Sequence, residues 1–273
     1  MSTITAPVAV REDRDGARFS DVLRSEWTKL RSVPSTMWTI LVAFAVCLGL
    51  SALISAVTAH AYAQGKQDVM HNWDPTNIST SGGALAQLAI AVLGTLVITS
   101  EYATRSIRLS LAAVPKRAHL LAAKAVVVGA VSLIVGEVMA FASFLIGQAI
   151  ISGKAPTASL SDASVFRAVA GCGIYCGAIA LLGMALGALL RSTAAAITSL
   201  VALLYVLPGL TQALPSGLRD PITKFWPTIA GSNITNVVQQ DNQLGPWAGM
   251  AVMLTFVAAV LALANWRLTS KDA

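Results

Sequence analysis

SVPSTMWTILVAFAVCLGLSALISAVTAHAYAQG, residues 32–65, runs for 34 residues without an Asp, Glu, Lys or Arg. A helix rises 1.5 Å per residue, so about 20 apolar residues cross a hydrocarbon layer of ~30 Å. The stretch holds one crossing comfortably and two not at all. Its centre is continuously apolar, whereas a barrel strand would alternate and need only ~10 residues. It therefore reads as a transmembrane helix.

The rest of the chain repeats this pattern. Uncharged runs of 26, 23, 27 and 25 residues separate Asp74 from Glu101, Arg167 from Arg191, Arg191 from Arg219, and Asp241 from Arg267. Between Lys124 and Lys154 lie 29 residues with one charge, Glu137. The pattern predicts six spans, at about 37–57, 83–100, 123–150, 168–190, 193–214 and 247–266. The whole chain agrees: of 273 residues, 55% are hydrophobic and 12% charged. An ordinary soluble domain carries about 25% charge. One with this composition would expose large apolar patches, so a soluble enzyme and a disordered chain are both excluded. Three cysteines, Cys47, Cys172 and Cys176, all in apolar runs, make no disulfide framework.

Lys and Arg set the orientation. With an even number of spans both termini share a side, and that side collects 14 basic residues against 5 on the other. The bias predicts cytoplasmic termini. It also explains most of the net charge of +6 without nucleic acid. Residues 1–18 are expected to form a disordered cytoplasmic tail, and 19–273 a single membrane domain.

Two cytoplasmic segments carry more than topology. In FSDVLRSEWTKLR, residues 19–31, Phe19, Val22, Leu23, Trp27 and Leu30 share a helical face, and Arg18, Asp21, Arg24 and Lys29 lie largely opposite. This predicts an amphipathic helix at the membrane surface, ended by Pro34. It reads either as an anchor orienting the first span or as an elbow that also touches a partner. The loop EYATRSIRLSLAAVPKRAHLLAAK, residues 101–124, is helical in propensity up to Pro115. Ile107 and Leu111 are one turn apart, Arg105 and Arg108 sit beside them, and Lys116 and Arg117 follow the break. It reads as a solvated basic loop or as a docking element. On the other face, 58–82 is expected to be a polar external loop, and 215–246 to hold a short interfacial helix near 221–239.

Within the spans, Glu137 faces a bundle interior or cavity, because an ionisable group at mid-membrane is costly elsewhere. It is either a group contacting substrate or protons, or a hydrogen-bonded structural carboxyl. Gly173, Gly177, Gly183 and Gly187 form two GxxxG spacings, which mark a helix-packing face. Pro208 and Gly209 are expected to kink the fifth span. No HExxH, G-x-S-x-G or GxxxxGK[ST] occurs, so neither a metal site nor ATP binding through a P-loop is expected on this chain. No convergent catalytic set is visible, and an enzyme is not expected.

The order of these features resembles the membrane subunit of ATP-binding-cassette transporters of the type-2 permease family. Ser25-Glu26-Trp27-Thr28-Lys29-Leu30-Arg31 looks like the family's elbow sequence. Glu101-Tyr102-Ala103-Thr104-Arg105-Ser106-Ile107-Arg108 looks like its loop motif, with Arg105-Ser106 where Gly-Thr is commoner. Val114-Pro115-Lys116-Arg117 and Lys124 match later positions. The resemblance implies an all-α integral membrane protein of six transmembrane helices, with an elbow helix and a coupling helix over 101–117. It implies two permease subunits, identical or not, and two separately encoded cytoplasmic ATPase subunits that bind ATP and Mg. No cofactor is implied on this chain. Export of a hydrophobic or amphipathic cargo across the cell membrane is the implied activity. An ion-coupled carrier using Glu137 and a non-transporting immunity or sensory protein are the alternatives.

Overall fold

The computed structural model describes residues 18–104, 106, 117–239 and 242–270. The expected coupling helix therefore lies mostly outside the described residues, as does the expected disordered tail apart from Arg18. Among the described residues all regular structure is helical.

Six helical segments are long and apolar enough to cross a membrane. The first three are α2 (Pro34–Ala63), α5 (Gly83–Ala103) and α6 (Arg117–Ile151). The fourth is α7 (Ala163–Leu190), and α12 (Pro246–Ser270) is the last. The fifth, Thr193–Thr211, is composite. It begins as α8 (Thr193–Val201), continues as a π segment over Ala202–Val206 and closes as α9 (Leu207–Thr211). Pro208 explains the change: a proline lacks the N–H that an α-helix needs and crowds the preceding turn. The π segment, with Leu207 N–H bonded to Ala202 O, absorbs it.

The spans run three to six residues past half of their expected ends, and the fifth stops three residues short. Hydropathy marks the lipid-facing part of a helix, and polar helix formers continue the rod beyond it. At its start α2 is stopped sharply. Val33 is extended, as the residue before a proline must be, and Pro34 opens the helix. On the N-terminal side of that break, α1 (Phe19–Ser32) is a separate helix packed against α6 and α2.

Helix α7 is the hub, packing against α5, α6, α8 and α12. One apolar core lies between α2, α5, α6 and α7 around Ile90, Ile98, Val128 and Met184. A second lies between α7, α8 and α12 around Ile179, Leu182, Leu200 and Met253. Lipid tails are as apolar as leucine, so shape rather than hydrophobicity selects the neighbours of a span. A Cβ on Gly183 would stand 2.2 Å from Ala91 O, and one on Gly94 would stand 2.0 Å from Ala180 O. Helices α5 and α7 thus touch backbone to backbone, and only glycine permits it.

The end of the bundle opposite α1 differs from its sequence reading. The expected polar loop at 58–82 is instead largely folded. Helix α2 continues to Ala63, and α3 (Gln67–His71) and α4 (Pro75–Thr80) follow. Asp74 caps α4 by accepting from the N–H groups of Thr76 and Asn77. Ser79 and Thr76 are buried because α4 lies against α6, where Gly147 leaves room for the Ser79 side chain. The interfacial helix expected near 221–239 starts earlier and is broken. Helices α10 (Ser216–Phe225) and α11 (Pro227–Ser232) are separated at Trp226, held extended by Pro227, and a 3-10 turn follows at Asn233–Thr235.

Candidate functional site

Helix α1 packs one narrow stripe inward. The buried stripe is Val22, Glu26 and Leu30, each one turn from the next, while Phe19 and Trp27 are exposed. A carboxylate thus stands in the middle of the buried face, only 3% exposed. Such a group persists only if paired and hydrogen-bonded. Lys124, in the second turn of α6 and 1% exposed, supplies the partner.

Its ammonium donates to Glu26 Oε2 at 2.5 Å and to Glu101 Oε1 at 2.7 Å. Lys29, one turn along α1, donates to Glu26 Oε1 at 2.8 Å and to Glu101 Oε1 at 3.1 Å. Among the described residues, two acids and two bases from three helices therefore meet here, and their charges balance. Burial pulls the Lys29 ammonium toward its neutral form, and the two carboxylates outweigh that pull, so its pKa stands above the usual 10.5. Glu101 Oε2 is screened from solvent and, among the described residues, accepts no hydrogen bond.

The cluster borders a partly open cavity of about 560 Å³ between α1, the start of α2 and the end of α5. Ser106, within the expected coupling segment, also lines it, with its hydroxyl 2.9 Å from that of Thr104. Arg105, Ile107, Arg108, Leu111, Pro115 and Lys116 lie outside the described residues, and of Arg117 only the backbone, opening α6, is placed.

The intramembrane groups lie apart from this cluster. Glu137, on α6, faces Gly173, where a Cβ would come within 2.4 Å of its carboxyl carbon. Its Oε2 is buried without a hydrogen-bond partner, and among the described residues no ion pair reaches it. The other glycines of the two GxxxG spacings divide. Gly183 and Gly187 pack tightly on α5, where a Cβ on Gly187 would stand 2.8 Å from Ile98. At Gly177 a Cβ would make only ordinary contact with Leu133, at 3.5 Å.

The profile of the family described as ABC-2 family transporter protein matches residues 22–209. The chain belongs to that family. Comparison with curated proteins gives no match. The matched region begins inside α1, covers four of the six candidate spans and ends within the fifth, so it contains every member of the charged cluster. This chain is accordingly a multi-pass membrane protein with the membrane domain of an ABC-2 permease.

Sequence reasoning underrates two groups in this permease. Lys124 counts as a loop charge there, although apolar residues flank it on both sides, and that flanking is the available signal for a buried cation. Arg191 reads only as a charge between spans, yet its guanidinium lies 5.6 Å from the centre of the Tyr102 ring. Its backbone is left-handed, φ 54°, which lets Arg191 and Ser192 alone join α7 to α8.

Proposed function

We propose that this chain is the membrane subunit of an ATP-driven exporter of hydrophobic or amphipathic cargo. It sits in the cell membrane with both termini in the cytoplasm. It pairs with a second permease subunit and with two cytoplasmic ATPase subunits, which bind the ATP and Mg and carry out the hydrolysis. The chain itself is not an enzyme and holds no cofactor. Family membership supports the ATPase partnership, and one observation supports the route of coupling. The Lys124 cluster binds α1 to the end of α5 and the start of α6, the two helices that flank 104–116. A push on that segment would be delivered to three elements as one body, as switching between two packings requires.

The test is co-expression with a candidate cytoplasmic ABC ATPase, sought first among the neighbouring reading frames. The pair should co-purify, and Arg105→Glu with Arg108→Glu should weaken the complex and its ATP-driven flux. A complex indifferent to changes across 105–117 argues against coupling there. Thiol labelling of Ser110→Cys, in a background lacking the native cysteines, should succeed from the cytoplasmic side only.

Glu137 supports a second reading, an ion-coupled carrier, because its buried Oε2 has no hydrogen-bond partner. Transport that stops when the proton gradient collapses but survives ATP depletion would favour it.

A further inference from the structure

The charged cluster is balanced, but two cations beside it are not. Arg191 follows α7 and holds its guanidinium 5.6 Å from the centre of the Tyr102 ring, in the last turn of α5. Arg267, in the last turn of α12, donates from Nη1 to Leu189 O, two residues before Arg191. Both charges act on the Tyr102 phenol, so the two guanidinium groups share one neighbourhood. The acid that also acts there is Glu101, which Lys29 and Lys124 already engage. Among the described residues no ion pair reaches Arg191 or Arg267. Two positive charges are left without a counter-charge from those residues.

Both arginines are only partly buried. Arg191 Nε and Nη2 are screened from solvent, so they add charge to the site but no contact. Contact falls to Arg191 Nη1 and to Arg267 Nε and Nη2, which are neither screened nor bonded among the described residues. A guanidinium is planar, weakly hydrated and matched in shape to phosphate oxygens.

Helix α12 fixes the depth of the site. Trp247 and Trp266 are both exposed near its two ends. Their separation along the helix is about 28 Å, close to the thickness of the hydrocarbon layer. Exposed tryptophans settle at headgroup level, so Arg267, next to Trp266, stands level with lipid phosphates. Leu263, one turn before Arg267 on the same face, is exposed and offers a surface to an acyl chain.

We propose that Arg191 and Arg267 together bind the phosphate of an anionic phospholipid, with an acyl chain along Leu263. A zwitterionic lipid is disfavoured, because it brings its own ammonium to a doubly positive site. A soluble phosphate shares the headgroup chemistry, and the test separates the two sources. Nothing in the site requires ATP-driven export.

The test uses native mass spectrometry of the full chain in detergent, with phosphatidylglycerol and phosphatidylcholine of matched acyl chains. Phosphatidylglycerol should be retained about tenfold better, the worth of one hydrogen bond to a charged group. Arg191→Gln and Arg267→Gln should each bring that ratio toward one. Arg24→Gln, which removes an exposed cation from α1, should leave it unchanged. Equal retention of the two lipids by the unaltered chain overturns the proposal. So does a preference undiminished in either arginine variant, or one reduced as far by Arg24→Gln.

Thermal midpoints in detergent separate binding from folding. Arg191 makes no hydrogen bond or ion pair among the described residues, so Arg191→Gln should keep the elution volume and the lipid-free midpoint. It should lose the upward shift that phosphatidylglycerol gives the unaltered chain. A full shift in Arg191→Gln counts against the site. A shift that saturating inorganic phosphate neither reproduces nor displaces identifies the lipid. Inorganic phosphate that reproduces the shift and displaces the lipid overturns the lipid assignment. Loss of ATP-driven export with the lipid preference intact sinks the export reading and leaves the site standing.

Discussion

The two ends of the helix bundle are held together by opposite chemistries. At the α1 end, three helices meet through carboxylates and ammonium groups, and the central ammonium is shut off from solvent. At the far end the joints rest mainly on neutral donors and on backbone carbonyls. Gln148 donates to Pro75 O and Ser79 Oγ and accepts from Ala158 N–H. The Trp73 indole donates to Pro156 O, and the Tyr175 hydroxyl donates to Thr228 O. One of the cations there, Arg167, also spends its guanidinium on carbonyls, those of Ile234 and Asn236. Each neutral bond is modest and separately replaceable. The ionic joint is a single unit, because the loss of one member removes two bonds at once and leaves an uncompensated charge in a site largely shut off from solvent.

That contrast sets the size of the effects expected on breaking it. Lys124→Met leaves Glu26 and Glu101 sharing the partly exposed Lys29 with one negative charge in excess, and a loss of about 3–5 kcal/mol is expected. It should appear as a collapse of the thermal midpoint in detergent, or as no folded protein at all. Glu26→Gln combined with Lys124→Met should cost less than the two single changes added together, since both charges leave at once. Strict additivity in that cycle would mean the cluster is not a unit. At the far end Gln148→Ala should cost about 1–3 kcal/mol, because it strips partners from Pro75 O, Ser79 and the Ala158 N–H. Its effect should add to that of Arg167→Met.

The smallest effect concerns pH. The raised pKa of Lys29 means its contribution is complete below about 10.5, the usual lysine value, and fades as pH climbs through the higher folded-state value. The midpoint difference between the unaltered chain and Lys29→Met should therefore be constant from pH 7 to about 10 and shrink only above that. Lys29 is partly exposed, so the difference itself should be small.

The spans were legible in the sequence because a charge-free run of sufficient length has one main use. Their true ends were less so, since Thr, His and Tyr near 58–62 continue α2 past the point where hydropathy fades. The far-end cap was misread as solvated loop because the burial of Thr76 and Ser79 depends on Gly147 of a distant helix, which no local pattern displays. Glu26, Lys29 and Glu101 could be picked out from motif resemblance. Their meeting could not, because it depends on which face of α1 turns inward. The tight contact of Gly183 was visible in a GxxxG spacing, but its counterpart Gly94 has no glycine four residues away in α5 and gives no such signal.

One property of the ionic joint bears on how the molecule is made. Glu26 and Lys124 are 98 residues apart in the chain. During synthesis the N-terminal helix leaves the ribosome long before its cation does, and two full spans are threaded into the bilayer in between. The first helix must therefore wait at the interface, its acid still hydrated, until the third span is delivered. Seating it is a checkpoint of biogenesis, and a nascent chain arrested before residue 124 should keep that helix open to protease.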